Sequence, residues 1–356
     1  MSKNNYPSPF DIQEVCSHFL KRTILNHWVQ SEGVFLVNGS NEQVAETISH
    51  LILERKKIEY IRENAYQTTA TYSMSGFGVN GKSGFSMEDA YNDVRDTDKR
   101  LLSEGYKLGV LSKESFGDKT IYYGTLEYEK KRPGRIEFMD SDQGFSEFKI
   151  VELEDGKWQV EVAGSKPNDG KEVKKLFEKI LRGHNDVAFS SMEIDKLSAK
   201  MTINFFDTLM PIGLGNQWRF EDVKQLTFKR GKEESEEDDE GEDASDSDLM
   251  GIKQAILEGK NLRDADFVKK FEKQGCMFTA MTFKYVSINE PKTVYMHAEF
   301  KGNPKIFEVA LVKYLETIGP DAKPEIATLP KEDSIQLQSL FWNNAKDVYY
   351  KVLREG

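Results

Sequence analysis

The spacing of apolar residues divides the first hundred residues into helical segments. Apolar side chains at intervals of three and four predict a helix over residues 10–31 and another that continues through Val44 to residue 64. Ser40 and Gln43 have the spacing of a capping box, which indicates where the second helix begins. A charged helix is predicted over residues 86–104.

Between residues 106 and 164 the pattern changes to an alternation of apolar and polar residues. This alternation is typical of antiparallel strands with one covered face. The predicted strands are 120–129, 134–139, 145–153 and 157–163.

The second half of the chain shows the same order of helices followed by strands. Its predicted helices are 171–182, 198–210, 249–257, 265–274 and 334–353, and its predicted strands are 223–230, 276–288, 293–300 and 306–312. Because the strands cluster rather than alternate with helices, the fold class is predicted as α+β, with two helix-plus-antiparallel-meander domains. The turn-forming residues 166–170 place the boundary between domains 1–165 and 166–356.

The excess of acidic residues is concentrated in one segment of the chain. Eleven of the 60 acidic residues lie between Glu233 and Asp248, so the other 49 equal the 49 lysines and arginines of the chain. Such a run of like charges without apolar anchors predicts a disordered acidic loop, residues 232–248, inserted in the second domain. The folded parts are therefore neutral on balance, although the whole chain has a net charge of −11.

A phosphate-loop motif is the sharpest match to known chemistry. Gly76, Gly81, Lys82 and Ser83 fit the pattern G-x-x-x-x-G-K-[ST], whose glycines and lysine hold nucleotide phosphates. The setting argues against this function, because residues 67–85 are rich in Thr, Ser and Gly rather than in buried apolar residues. The alternative interpretation is a mobile Gly/Ser loop.

A basic hairpin is the second candidate. Lys130, Lys131, Arg132 and Arg135 lie at a predicted turn between strands, next to several aromatic residues. Four cations on such a turn are able to contact nucleic-acid phosphates, with the aromatic rings as stacking surfaces. The alternative is an ordinary solvated turn.

Two Glu-x-Lys pairs have the spacing that metal-dependent nucleases use on a strand. They are Glu147 with Lys149, preceded by Asp140 and Asp142, and Glu299 with Lys301. The simpler interpretation is a pair of opposite charges on the solvent face of a strand. No catalytic residue is assigned from these patterns.

Several classes are excluded by what the sequence lacks. It has no apolar run near the roughly 20 residues of a membrane helix, and no secretory signal at its start. Its two cysteines and five histidines show no metal-ligand spacing, so neither a metal site nor a cofactor is predicted. We expect an intracellular protein, cytoplasmic or nuclear, that does not enter a membrane.

These observations favour a soluble intracellular, non-catalytic binding protein with a protein partner. One alternative is a nucleic-acid-binding protein that uses the basic hairpin and is regulated by the acidic loop. Another is a nucleotide-binding or metal-dependent enzyme with a degenerate phosphate loop. Whether the protein is an enzyme, and its oligomeric state, are left open by the sequence.

Overall fold

A computed structural model gives the fold for most of the chain. It describes residues 6–20, 22–31, 33, 40–51, 53–66, 72–97, 105–116, 119–131, 141–164, 169–181, 187–230, 254–302, 305–317 and 323–356. The chain forms two compact units. Unit 1 comprises Met1–Ala70, Lys99–Lys107 and Glu127–Gly144, and unit 2 comprises Thr71–Asp98, Leu108–Leu126 and Phe145–Gly356. The predicted domain boundary after residue 165 and the acidic loop 232–248 lie outside the described residues, and the boundary stays a prediction.

The described residues of unit 1 form four helices with a core of their own. They are α1 (Pro9–Phe19), α2 (Arg22–Ser31), α3 (Asn41–Ser49) and α4 (Arg55–Tyr66). The single helix predicted over residues 10–31 is wrong, because Leu20 takes an extended conformation that ends α1. The capping box is confirmed, since the Ser40 hydroxyl accepts from the Gln43 N–H while the Gln43 side chain accepts from the Ser40 N–H.

The other helices of the described chain belong to unit 2. They are α5 (Met87–Thr97), α6 (Asp169–Ile180), α7 (Ala199–Ile212), α8 (Asp266–Lys273) and α9 (Lys331–Glu355). The helix predicted over residues 198–210 runs two residues further, so that Pro211 lies inside α7.

The strands of the described residues are numbered in chain order. They are β1 (Ser73–Asn80), β2 (Tyr106–Leu108), β3 (Ser112–Phe116), β4 (Lys119–Lys131), β5 (Ser141–Glu154), β6 (Lys157–Gly164), β7 (Ala188–Ser190), β8 (Trp218–Arg230), β9 (Gln254–Glu258), β10 (Cys276–Ser287), β11 (Lys292–Lys301), β12 (Ile306–Glu316) and β13 (Glu325–Ile326).

An antiparallel sheet forms the centre of unit 2. Its main path runs β4-β5-β6-β1-β12-β11-β10-β8-β9, with the parts of β4 and β5 that belong to this unit. The registered strand pairs of the described residues are antiparallel, which confirms the predicted α+β class with meanders. β1 pairs with β6 on one side and with β12 on the other, so it joins the two predicted meanders in one sheet.

The structure of unit 2 shows that two other predictions of secondary structure are wrong. Residues 73–80 form strand β1 instead of part of a mobile loop. Residues 254–258 form the edge strand β9, paired with β8, instead of the end of a helix over 249–257. The run from Gln254 to Leu257 is too short for its pattern to distinguish a helix from a strand. Its hydrogen bonding to β8 makes it a strand.

Aromatic side chains fill the core on the sheet face that carries α7 and α9. Phe205 of α7 contacts Phe307 and Tyr349, with ring centroids 5.3 and 6.2 Å apart. Phe341 of α9 packs on Phe283 at 5.4 Å. These rings are fully buried, so this half of the sheet holds the C-terminal part of α9 firmly.

The approach of α9 to β1 depends on a glycine. A Cβ atom added to Gly76 would lie 2.6 Å from the carbonyl oxygen of Val160 and 2.7 Å from a ring carbon of Trp342. Any side chain here would therefore push Trp342, and with it α9, away from the sheet.

This geometry predicts the effect of Gly76→Ala. The variant is expected to lose about 1–3 kcal/mol of unfolding free energy through overpacking, measured by denaturant titration. Lys82→Ala in the exposed part of the same motif serves as a control, with an expected change within about 0.5 kcal/mol. Equal stability of Gly76→Ala and the wild type would contradict the packing role.

Candidate ligand-binding site

A cavity of about 900 Å³ lies within unit 2, between the first half of α9 and one face of the sheet. Residues of β1, β3, β4, β5 and β6 form its floor, and α9 forms its other wall. Apolar side chains cover a large part of the wall: Met74, Val110, Ala163, Ile335 and Leu340. Val110 and Leu340 are exposed, so the cavity is open to solvent.

The wall from α9 follows from helical periodicity. Glu332 is followed after three or four residues by Ile335 and Gln336, then by Ser339 and Asn343 at the same intervals, so these residues share one helix face. The face is anchored at its start, because the Lys331 Nζ lies 2.8 Å from Glu147 Oε1 on β5 and 5.0 Å from the Tyr72 ring centroid.

A buried carboxylate lies at the polar end of the cavity. The Glu161 side chain on β6 is only 4% exposed. Ser339 Oγ donates to its Oε2 at 2.6 Å, while Asn343 Nδ2 and Gln159 Nε2 donate to Oε1 at 3.1 and 2.7 Å. Lys149 Nζ lies further away, 3.6 Å from Oε2. These donors compensate the cost of removing the carboxylate from water.

The network continues beyond Glu161 along α9. Gln159 Nε2 also donates to Asn343 Oδ1 at 2.8 Å, and its Oε1 accepts from Lys346. Burial lowers the pKa of Lys346, although the charges of Asp347 and Glu161 act in the opposite direction. The polar end is thus rigidly built from two strand residues and the middle of α9.

Tyr123 and Glu114 lie on the sheet side of the opening. Burial raises the pKa of Tyr123, and the nearby charge and hydrogen bond of Glu114 raise it further. The phenol is therefore neutral at physiological pH and a poor general base. Its ring is partly exposed and lines the cavity.

A second cavity of about 450 Å³ borders the same helix segment. Gln336 and Leu340 line both cavities, and Trp218 and Tyr314 contribute to the second one. The first half of α9 consequently has open space on two sides, whereas the half that begins at Phe341 is packed in the aromatic core.

The phosphate-loop residues do not have the geometry of a phosphate-binding loop. Gly76 lies in β1 opposite Glu161, and the following helix begins only at Met87. The Gly81 N–H donates to the Gly156 carbonyl at 2.7 Å. The Ser83 hydroxyl and the Gly84 N–H both donate to the Asp155 carboxylate, which lowers its pKa.

This turn therefore supplies a carboxylate at the position where a phosphate loop would bind an anion. Lys82 is exposed beside it. Gly76 matches the phosphate-loop motif because packing against α9 requires a glycine there, and Gly81 and Ser83 match it within a hydrogen-bonded turn. This geometry gives no support to the nucleotide-binding hypothesis.

The basic hairpin remains untested. Lys130 and Lys131 end strand β4, but their side chains lie outside the described part of the chain, as do Arg132 and Arg135 entirely. Nucleic-acid binding through these four residues stays a prediction.

The two Glu-x-Lys pairs lie on opposite faces of the sheet. Glu147 and Lys149 both line the 900 Å³ cavity, where they pair with Lys331 and Glu161 rather than with each other. Glu299 pairs with Lys301 at 2.8 Å on the other face. Among the described residues, no group of three or more His, Cys, Asp or Glu side chains is placed to hold a metal ion.

Sequence reasoning missed the residues that matter most in the cavity, Glu161, Ser339 and Asn343. One signal was present: Glu161 interrupts the apolar run of Val160, Val162 and Ala163, and a charge inside a buried strand is rare without a partner. Its partners on α9 lie about 180 residues later, so local pattern gives no indication of them.

A polar cluster lies on the opposite face of the sheet near the start of α6. Burial raises the pKa of Glu308 to about 7. The ammonium groups of Lys301 and Lys171 act against this shift, whereas Glu299 and Asp169 add to it. His297 belongs to the same face, and its Nδ1 is 2.8 Å from the Thr282 hydroxyl.

Comparison with known proteins gives distant structural likenesses. No protein-family profile matches it, and no curated protein sequence matches it significantly. DynU16, a protein of the dynemicin biosynthetic locus, aligns with 79% of this chain and 97% of its own at 9% identity and a TM-score of 0.15. BexL, a di-domain ARO/CYC protein of the BE-7585A biosynthetic pathway, aligns with the same shares at 7% identity and a TM-score of 0.15. At these TM-scores neither likeness bears on the fold or the function.

The helices also bear on membrane insertion. Within the described ranges, none of them is both long and apolar enough to cross a bilayer.

The raised pKa of Glu308 predicts a pH dependence of stability. Between about pH 4.5 and 7 the native state keeps this proton while the unfolded chain loses it, so stability falls as pH rises through this window. Glu308→Gln should remove the fall, which amounts to roughly 3 kcal/mol at most, in denaturant titrations between pH 5 and 8. The same pH dependence in the variant and the wild type would contradict the assignment to Glu308.

The open space around the first half of α9 predicts uneven hydrogen exchange. Amides of residues 335–340 should exchange at least about tenfold faster than those of residues 345–352, because fewer packed side chains hold them. Mass spectrometry on overlapping peptides measures this difference. Equal protection of both halves would show that the cavities do not loosen the helix.

Proposed function

We propose that this protein binds an amphipathic small molecule in the 900 Å³ cavity of unit 2. The observation that carries the proposal is a cavity of ligand size whose apolar walls end at a hydrogen-bonded carboxylate, Glu161. Small-molecule sites typically have volumes of about 300–1,000 Å³, apolar walls and a few fixed polar groups. The cavity has each of these properties.

The polar network favours binding over turnover. Glu161 already accepts hydrogen bonds from three side chains, and the phenol of Tyr123 has a raised pKa. A general base needs a free lone pair and a pKa near the working pH. Tyr123 does not meet the second condition, and the three donors hold the Glu161 carboxylate in one orientation, which supports the non-catalytic binding protein expected from the sequence.

The other functional hypotheses concern other parts of the chain. A protein partner for the acidic loop and nucleic-acid binding by the basic hairpin both involve side chains outside the described residues. They stay predictions, as does the intracellular location.

A neutral fluorescent probe tests the proposal. N-phenyl-1-naphthylamine gains fluorescence in apolar sites, and it should bind the full-length chain saturably at one site. Ile335→Trp places a large ring in the cavity and should weaken this binding at least about tenfold, because the ring occupies the space of the ligand. Fluorescence titration measures the affinity of each variant.

Asp347→Trp is the matched control, since it adds the same ring to the exposed face of α9. It should bind the probe as the wild type does. Thermal unfolding of both variants confirms that they are folded. A lack of saturable binding, or equal affinity of the two tryptophan variants, would contradict the proposed function.

A further inference from the structure

The charged side chains around the 900 Å³ cavity are mostly of one sign. Four carboxylates line it, and Lys149 is the one lysine or arginine among the residues that the structure places in its wall. The carboxylates belong to Glu114, Glu147, Glu161 and Glu332. Even with Glu147 paired to Lys331 from outside the lining, acidic groups outnumber basic ones. Low-dielectric walls concentrate such a field, which attracts cations and repels anions.

Glu161 has room for one more hydrogen bond. A carboxylate offers about four lone-pair sites, and Ser339, Asn343 and Gln159 use three of them. The Lys149 ammonium is 3.6 Å from Oε2, beyond a normal hydrogen bond, and its side chain is 32% exposed. A ligand N–H group can therefore reach Oε2 while Lys149 turns toward water.

The rest of the cavity fits the body of such a ligand. Met74, Ala163, Ile335 and Leu340 line the same cavity as Glu161 and offer apolar contacts. Tyr123 presents an aromatic ring, whose face attracts a cation that enters the cavity.

From this combination we infer that the ligand is an amphipathic organic cation, with an apolar body and a protonated amine that pairs with Glu161. The inference rests on the proposed function, because it specifies the ligand class of the same cavity. A carboxylate ligand would be repelled by the negative charges of Glu161 and Glu114. A neutral ligand would gain the apolar contacts but no ion pair.

Three ligands with the same chain and different head groups test the charge preference. Octylamine, octan-1-ol and octanoate compete with N-phenyl-1-naphthylamine for the full-length protein at pH 7. Octylamine should displace the probe at a concentration at least about tenfold lower than the other two, which corresponds to about 1.4 kcal/mol of binding free energy. Displacement by octanol or octanoate at equal or lower concentration would overturn the inference.

Glu161→Gln keeps the size of the side chain and removes its charge. In this variant octylamine should lose its advantage over octan-1-ol and octanoate, whatever the affinity of the variant for the probe. Glu299→Gln, on the opposite face of the sheet, is the matched control and should keep the preference. A full amine preference in Glu161→Gln would overturn the role of Glu161. If that variant does not fold, the ranking of the three ligands on the wild type decides the inference.

The two proposals fail in different ways. Saturable probe binding without amine preference would leave the proposed function intact and overturn the cation inference alone. Absence of binding by the probe and by all three ligands to the folded protein would overturn both.

Discussion

The close contact between α9 and β1 is the constraint on which the rest of unit 2 depends. Trp342 lies directly over Gly76, where a single added carbon atom would come within 2.7 Å of the indole ring. From this contact to its C-terminus, α9 is fixed by buried aromatic packing with α7 and the sheet. Toward its N-terminus the helix has cavities on both sides and is held to the sheet by the Lys331–Glu147 ion pair. The cavity thus exists because the helix is packed tightly at one end and left open at the other.

The two faces of the sheet each carry a buried glutamate, and the two glutamates have different surroundings. On the α9 face, the Glu161 carboxylate accepts hydrogen bonds from Gln159, Ser339 and Asn343, and the Lys149 ammonium lies 3.6 Å away. On the opposite face, burial raises the pKa of Glu308 to about 7, which favours its neutral form. The first arrangement presents a fixed negative charge to a cavity, as expected of a binding site. The second carries a cost to stability at higher pH.

Periodicity predicts the long elements well, because each depends on its own residues. The strands predicted over 276–288 and 306–312 and the helix predicted over 334–353 correspond to β10, β12 and α9, although β12 and α9 run several residues further. Periodicity does not predict strand β1, because its glycines are typical of a loop. Gly76 is required instead by the close approach of Trp342, which lies 266 residues later in the chain. The same glycine produces the misleading phosphate-loop match. The cavity is not predictable at all, since its wall combines β1, β3, β4, β5, β6 and α9, which only the tertiary fold brings together.

Methyl NMR during a titration with N-phenyl-1-naphthylamine tests the central claim most directly, because it locates the ligand. The account predicts saturating shifts at the methyl groups of Met74, Ile335 and Leu340, which line the cavity. The exposed methyl groups of Ile256 and Ile326, which are not part of its lining, should not move. Saturating shifts at Ile256 or Ile326 with none at Met74 and Ile335 would contradict the assignment of the cavity as the binding site.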